Sequence, residues 1–115
     1  MARVVLFIPD LLFGSNVVGA MQAAGHDPVL AGDAYAVQRD LPGADVLVVD
    51  LTADVPERLE QLEAMPLEGV RTLAFYSHVE ADVRARAEQA GLDLVVPRSR
   101  MAREGAALVD RLAES

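Results

Sequence analysis

The sequence predicts an α/β domain: a three-layer sandwich in which a five-stranded parallel sheet carries helices on both faces. Three observations lead there. Strand-like and helix-like segments alternate from end to end. The connections between them are short, with no Ser- or Gly-rich linker. The candidate strands are nearly unbroken aliphatic runs, such as Val4-Val5-Leu6-Phe7-Ile8 and Val46-Leu47-Val48-Val49, as expected of strands buried on both faces.

Each element has its own signal. Residues 3–9 read as a buried strand. Ser15 is placed to cap a helix that turns Val17, Val18 and Met21 inward and stops at Gly25. Residues 28–32 make a short second strand, and Asp33 caps a short helix through Gln38, ended by Leu41-Pro42-Gly43. Residues 45–50 form the third strand. Asp54, with Pro56 just inside, opens a helix bearing Leu59, Leu62 and Met65, and Pro66 closes it. Residues 70–76 form the fourth strand. Val79 to Ala90 is helical, with Val83, Ala87 and Ala90 inward and Gly91 as its stop. Residues 92–96 are the fifth strand, and Ser99 caps a last helix with Met101, Leu108 and Leu112 inward. Five βα units in 115 residues suit one domain, residues 1–115, with the flavodoxin-like strand order 2-1-3-4-5 as the favoured topology.

Composition narrows the function. Hydrophobic residues make up 52% of the chain and aromatics only 4%, which favours α/β layers over a sandwich or barrel of strands. The formal net charge of -8 repels phosphates and argues against nucleic acid as a partner. Cysteine is absent, so no disulfide framework holds the fold. No apolar stretch approaches the roughly 20 residues of a membrane helix. The run after Arg3 is broken by Pro9-Asp10 too early for a signal peptide. A cytoplasmic domain without membrane contact is the expectation.

Chemistry is expected at the carboxyl ends of the strands, where open α/β sheets bind ligands. Asp10 follows the first strand, Asp50 the third, Ser77 the fourth and Arg98 the fifth. Two carboxylates brought together call for a cation, and oxygen-only ligands suit Mg²⁺. A carboxylate beside a hydroxyl and a cationic side chain is also a plausible phosphoryl acceptor. Asp50 could equally cap the helix that follows it, Asp10 could be an ordinary loop acid, and Ser77 could cap the next helix. The Arg98, Arg100, Arg103 trio stands out in an acidic chain and could face an anionic partner. His26 and His78 show no metal-ligand spacing, and His78 falls at the rim of the site. Gly14-Ser15-Asn16 lacks the glycine pattern of a phosphate loop.

Four segments, in order and at near-family spacing, resemble the receiver domains of two-component response regulators. They are Gly25 to Asp33, Ala44 to Leu51, Phe75-Tyr76-Ser77-His78 and Ala90-Gly91-Leu92-Asp93. The resemblance covers nearly the whole chain. It implies that Asp50 is the phosphoacceptor, that Asp10, Asp50 and the Thr52 carbonyl hold Mg²⁺, that Ser77 is the switch hydroxyl, and that Arg98 stands at the position of an invariant lysine. It further implies a stand-alone signalling domain that takes a phosphoryl group from a histidine kinase and acts through protein contacts. Copies could pair through the face of strands 4 and 5 and the last helix. No nucleophile–base pair marks an enzyme beyond self-phosphorylation from a phosphodonor.

The sequence also departs from the family pattern. Pro9 replaces the first acid of the strand-1 pair, Arg98 replaces lysine, Ser99 replaces the proline after it, and Val95 stands where an aromatic switch is common. The loop Leu51 to Pro56 lacks the usual Met-Pro-Gly pattern. These departures define a second expectation, a pseudo-receiver that binds protein partners without phosphorylation. A third is a flavodoxin-like small-ligand domain using the same crevice.

Overall fold

The structure, a computed structural model, describes residues 1–77 and 81–114. Its elements are β1 (Arg3–Phe7), α1 (Leu11–Ala23), β2 (Asp27–Ala31), α2 (Ala34–Asp40), β3 (Val46–Leu51), α3 (Val55–Glu63), β4 (Arg71–Tyr76), α4 (Ala81–Gln89), β5 (Leu94–Pro97) and α5 (Arg98–Ala113). The five strands form one sheet in the order β2-β1-β3-β4-β5, every neighbouring pair parallel. This is the predicted topology. Both proline-bearing strands, β2 with Pro28 and β5 with Pro97, lie at the edges, where a missing N–H breaks no ladder.

Alternation along each strand divides the core in two. Val5, Phe7, Leu47, Val49, Leu51, Ala74, Tyr76 and Val95 face one side, where Val37 of α2, Leu62 of α3, and Val83 and Ala87 of α4 cover them. Val4, Leu6, Ile8, Val46, Val48, Leu73, Phe75 and Val96 face the other, covered by Val17 and Met21 of α1 and by Met101, Leu108 and Val109 of α5. The central strands β1 and β3 are apolar on both faces because each face has its own helix layer.

Several local expectations change. Ser15 is not the cap of α1. The helix starts five residues earlier, and Asp10 caps it by accepting the N–H groups of Leu12 (3.0 Å) and Phe13 (3.2 Å). Gly14 therefore lies inside the helix, where a Cβ would stand 2.8 Å from Leu30 Cδ1; glycine lets α1 approach β2. Ser99 is not the cap of α5, because Pro97 holds that position and Arg98 already lies in the helix. Asp33 does cap α2, accepting from Ala36 N at 2.8 Å. Asp54 stands at the head of α3 but is left-handed (φ 53°) and makes no side-chain cap bond. Ala90 is exposed rather than inward. His78 and the start of the Val79–Ala90 helix lie outside the described residues.

Two clasps tie strand starts together on the opposite edge from the expected site. Thr72 of β4 donates N–H (2.8 Å) and hydroxyl (3.1 Å) to Asp93 Oδ2, and Asp93 N returns a bond to Thr72 Oγ1 (2.8 Å). Buried His26 accepts the N–H of Ala2 on Nδ1 (3.0 Å), and its Nε2 lies 2.6 Å from Asp110 Oδ1 on α5.

Candidate functional site

The carboxyl ends of β1 and β3 form the floor of a pocket of about 300 Å³ lined by Pro9, Asp10, Asp50, Thr52, Ala53, Asp54 and Arg58. Asp50 is the fifth residue of β3, and its relative exposure is 6%. Its neighbours Val49 and Leu51 belong to the α2–α4 side of the core, so alternation turns its carboxylate to the other side of the strand end. Oδ1 accepts two bonds from one residue, Thr52 N (2.8 Å) and Thr52 Oγ1 (2.5 Å). This Asx-type turn bends the chain out of β3 and engages the carboxylate at the same time.

Asp10 reaches the same pocket from β1, but its oxygens are also engaged. Oδ1 caps α1, and Oδ2 lies 3.9 Å from Arg98 Nη2. The Arg98 guanidinium stacks 4.3 Å from the Phe13 ring centroid, and Phe13 packs on Phe75 at 5.2 Å between centroids. Arg98 thus turns to Asp10 and α1. Ser77 and Arg98 line a second pocket of about 460 Å³ with Phe13, Ser99 and Ala102. The five residues expected together are therefore split: Asp10, Asp50 and Thr52 line one pocket, Ser77 and Arg98 the other, and the Arg98–Asp10 ion pair joins the two. Val95, at the aromatic-switch position, is buried in the α2–α4 side of the core.

One site residue escaped the sequence reading. Arg58 lies on the buried face of α3 with Val55 and Leu62, and its relative exposure is only 9%. Nη1 donates to the Asp50 backbone carbonyl at 2.9 Å, and the guanidinium lies 4.5 Å from the Phe7 ring centroid. Its spacing carries the signal: Val55, Arg58 and Leu62 are three and four residues apart, which places a cation on an otherwise apolar stripe.

No protein-family model and no curated protein sequence matches the chain. Solved structures do match. A response regulator from Thermotoga maritima superimposes with a TM-score of 0.84 at 15% identity, covering 100% of this chain and 99% of that one. The chain has the fold of a response-regulator receiver domain. The receiver domain of Francisella response regulator 1452 gives 0.83 at 14% identity, with 99% and 98% covered. An atypical orphan response regulator, described as having a phosphorylation-independent regulatory mechanism, gives 0.76 at 13% identity, with 97% and 95% covered. Identities this low establish the receiver fold and leave the chemistry to the residues.

Receiver domains generally bind Mg²⁺ at the phosphorylation site. The two acids that would hold such an ion here, Asp10 and Asp50, are each already engaged in part by the chain itself. One oxygen of each carboxylate is engaged by hydrogen bonds, and Asp10 also faces Arg98. Arg58 places a further positive charge in the same pocket. Among the described residues no three acidic, histidine or cysteine side chains group to hold a metal ion. Among the described residues, too, no helix is long and apolar enough to cross a membrane.

Proposed function

We propose that this chain is a receiver-like signalling domain that acts through protein contacts without phosphorylation of Asp50. The observation that carries the reading is the engagement of the acid pocket by the chain's own groups. Thr52 occupies Asp50 Oδ1, the first turn of α1 occupies Asp10 Oδ1, and Arg98 faces Asp10 Oδ2. Pro9 removes one acid of the strand-1 pair, and proline offers neither a charge nor a side-chain ligand. The separation of Ser77 and Arg98 into a second pocket supports the same reading. Its output is binding to a signalling protein.

A second reading keeps Asp50 as the phosphoacceptor, with a histidine kinase as donor and Mg²⁺ as cofactor. It is favoured by the way Asp10, Asp50 and Thr52 line one pocket. In that reaction an Asp50 oxygen bonds to phosphorus as the donor's bond to phosphorus breaks, and Ser77 and Arg98 would have to move to meet the product. Amide NMR with Mg²⁺ and beryllofluoride, a phosphoryl mimic, separates the two. The first reading predicts unchanged signals for Asp50, Thr52 and Ser77. Saturable shifts at those three residues, lost in Asp50→Asn, would establish the second.

A further inference from the structure

We infer that Arg58 is the resident cation of the Asp50 pocket, standing in electrostatically for a divalent metal and excluding one. The inference rests on the phosphorylation-independent reading and extends it to a residue of α3. A buried guanidinium is costly unless its charge is answered. Among the described residues Arg58 has no salt-bridged carboxylate; its contacts are the Asp50 carbonyl and the Phe7 ring. Three carboxylate residues, Asp10, Asp50 and Asp54, line the same pocket. On this inference their field adds to the Asp50 carbonyl and the Phe7 ring in offsetting the buried positive charge. The relation also runs the other way. A fixed unit charge beside these acids repels a divalent ion with twice the energy of a unit pair at the same distance, in a partly buried site where water screens weakly.

The local fold builds this arrangement in. Left-handed Asp54 turns the chain at the head of α3, and its carbonyl accepts Arg58 N at 2.9 Å. Arg58 thereby becomes part of the first turn, with its side chain directed back along the buried face to the end of β3. Arg58 thus shares the pocket with Asp10, Asp50 and Asp54, and Arg98 pairs with Asp10 from outside it.

The test is a Mn²⁺ titration of isotope-labelled protein, read as paramagnetic broadening of backbone amides around Asp10, Asp50 and Thr52. The full-length wild type should show no site-selective broadening. Arg58→Met removes the charge while keeping an apolar chain on Phe7, and it should bind Mn²⁺ at least about tenfold more tightly. Arg58→Lys, which keeps the charge, should behave as wild type, and Asp50→Asn added to Arg58→Met should abolish the gain. Arg58→Gln, which retains an N–H for the Asp50 carbonyl, replaces the Met variant should that fail to fold. A folded, charge-free variant that gains no affinity overturns the role of Arg58 and leaves the phosphorylation-independent reading standing. Selective broadening in the wild type overturns the exclusion itself. A phosphodonor reaction on the wild type tests the underlying reading separately.

Discussion

His26 offers the sharpest stability prediction. Its Nδ1 accepts the N–H of Ala2, and its Nε2 lies 2.6 Å from Asp110 Oδ1 in a close contact that is not an aligned hydrogen bond. One imidazole thereby ties the start of the chain to α5, across the α1–α5 side of the core. His26 is 8% exposed and Ala2 only 1%. His26→Ala leaves the Ala2 N–H buried without an acceptor, which costs about 1–3 kcal/mol. The space left by the ring adds about 1 kcal/mol or more. Loss of the Asp110 contact adds little, because that carboxylate is 52% exposed and water replaces the ring. The sum is about 3 kcal/mol, which lowers the melting temperature by about 10 °C in a domain of this size. Urea denaturation followed by far-UV circular dichroism measures it. His26→Asn, whose amide oxygen can accept from Ala2, should recover about 1 kcal/mol of the loss. Asp110→Ala should cost under about 1 kcal/mol. A His26→Ala cost below about 1 kcal/mol would refute the assignment of the Ala2 bond as a structural anchor.

Other outcomes follow from single contacts. Gly19 lies inside α1 with open space where a Cβ would be, so Gly19→Ala should raise stability by about 0.5–1 kcal/mol in the same denaturation experiment. Thr72→Val takes the acceptor from Asp93 N and a donor from Asp93 Oδ2, and should cost about 1–2 kcal/mol. Arg39 donates Nε and Nη2 to the two oxygens of Asp40 at 3.2 and 3.1 Å, and its hydrogen bonds hold the Asp40 carboxyl below the usual carboxylate range. A depressed folded value contributes stability that is present above the ordinary carboxylate value and lost as pH falls through the depressed one. Side-chain NMR should therefore show Asp40 titrating higher in Arg39→Gln, with the small stability difference complete above about pH 4 and fading as pH falls below it.

The order of elements and the sheet topology were legible because each rests on a strong local signal. Unbroken aliphatic runs mark strands buried on both faces, and short links leave room for parallel crossovers. Helix starts were less legible. Gly14-Ser15 looks like a turn followed by a cap, yet glycine is there for the approach of Leu30, and the capping oxygen belongs to Asp10. An acid at a strand end can serve a metal, a partner charge or a helix terminus, and sequence alone leaves all three open. Asp10 serves the helix terminus and Arg98. Thr52 was expected to offer a carbonyl to a cation; that its N–H and hydroxyl both go to Asp50 was not foreseen. Arg58 went unread because an arginine on a helix is normally a solvated charge, and only the Val55–Leu62 spacing around it argues for burial.

The central claim is that Asp50 sits in an acid pocket occupied by the chain's own groups and does not take up a phosphoryl group. Intact-mass spectrometry of the wild type after incubation with a small phosphodonor and Mg²⁺ tests it most directly, with Asp50→Asn alongside. The account predicts one unmodified mass for both proteins. A wild type that gains one phosphoryl group, with Asp50→Asn unchanged, would contradict it.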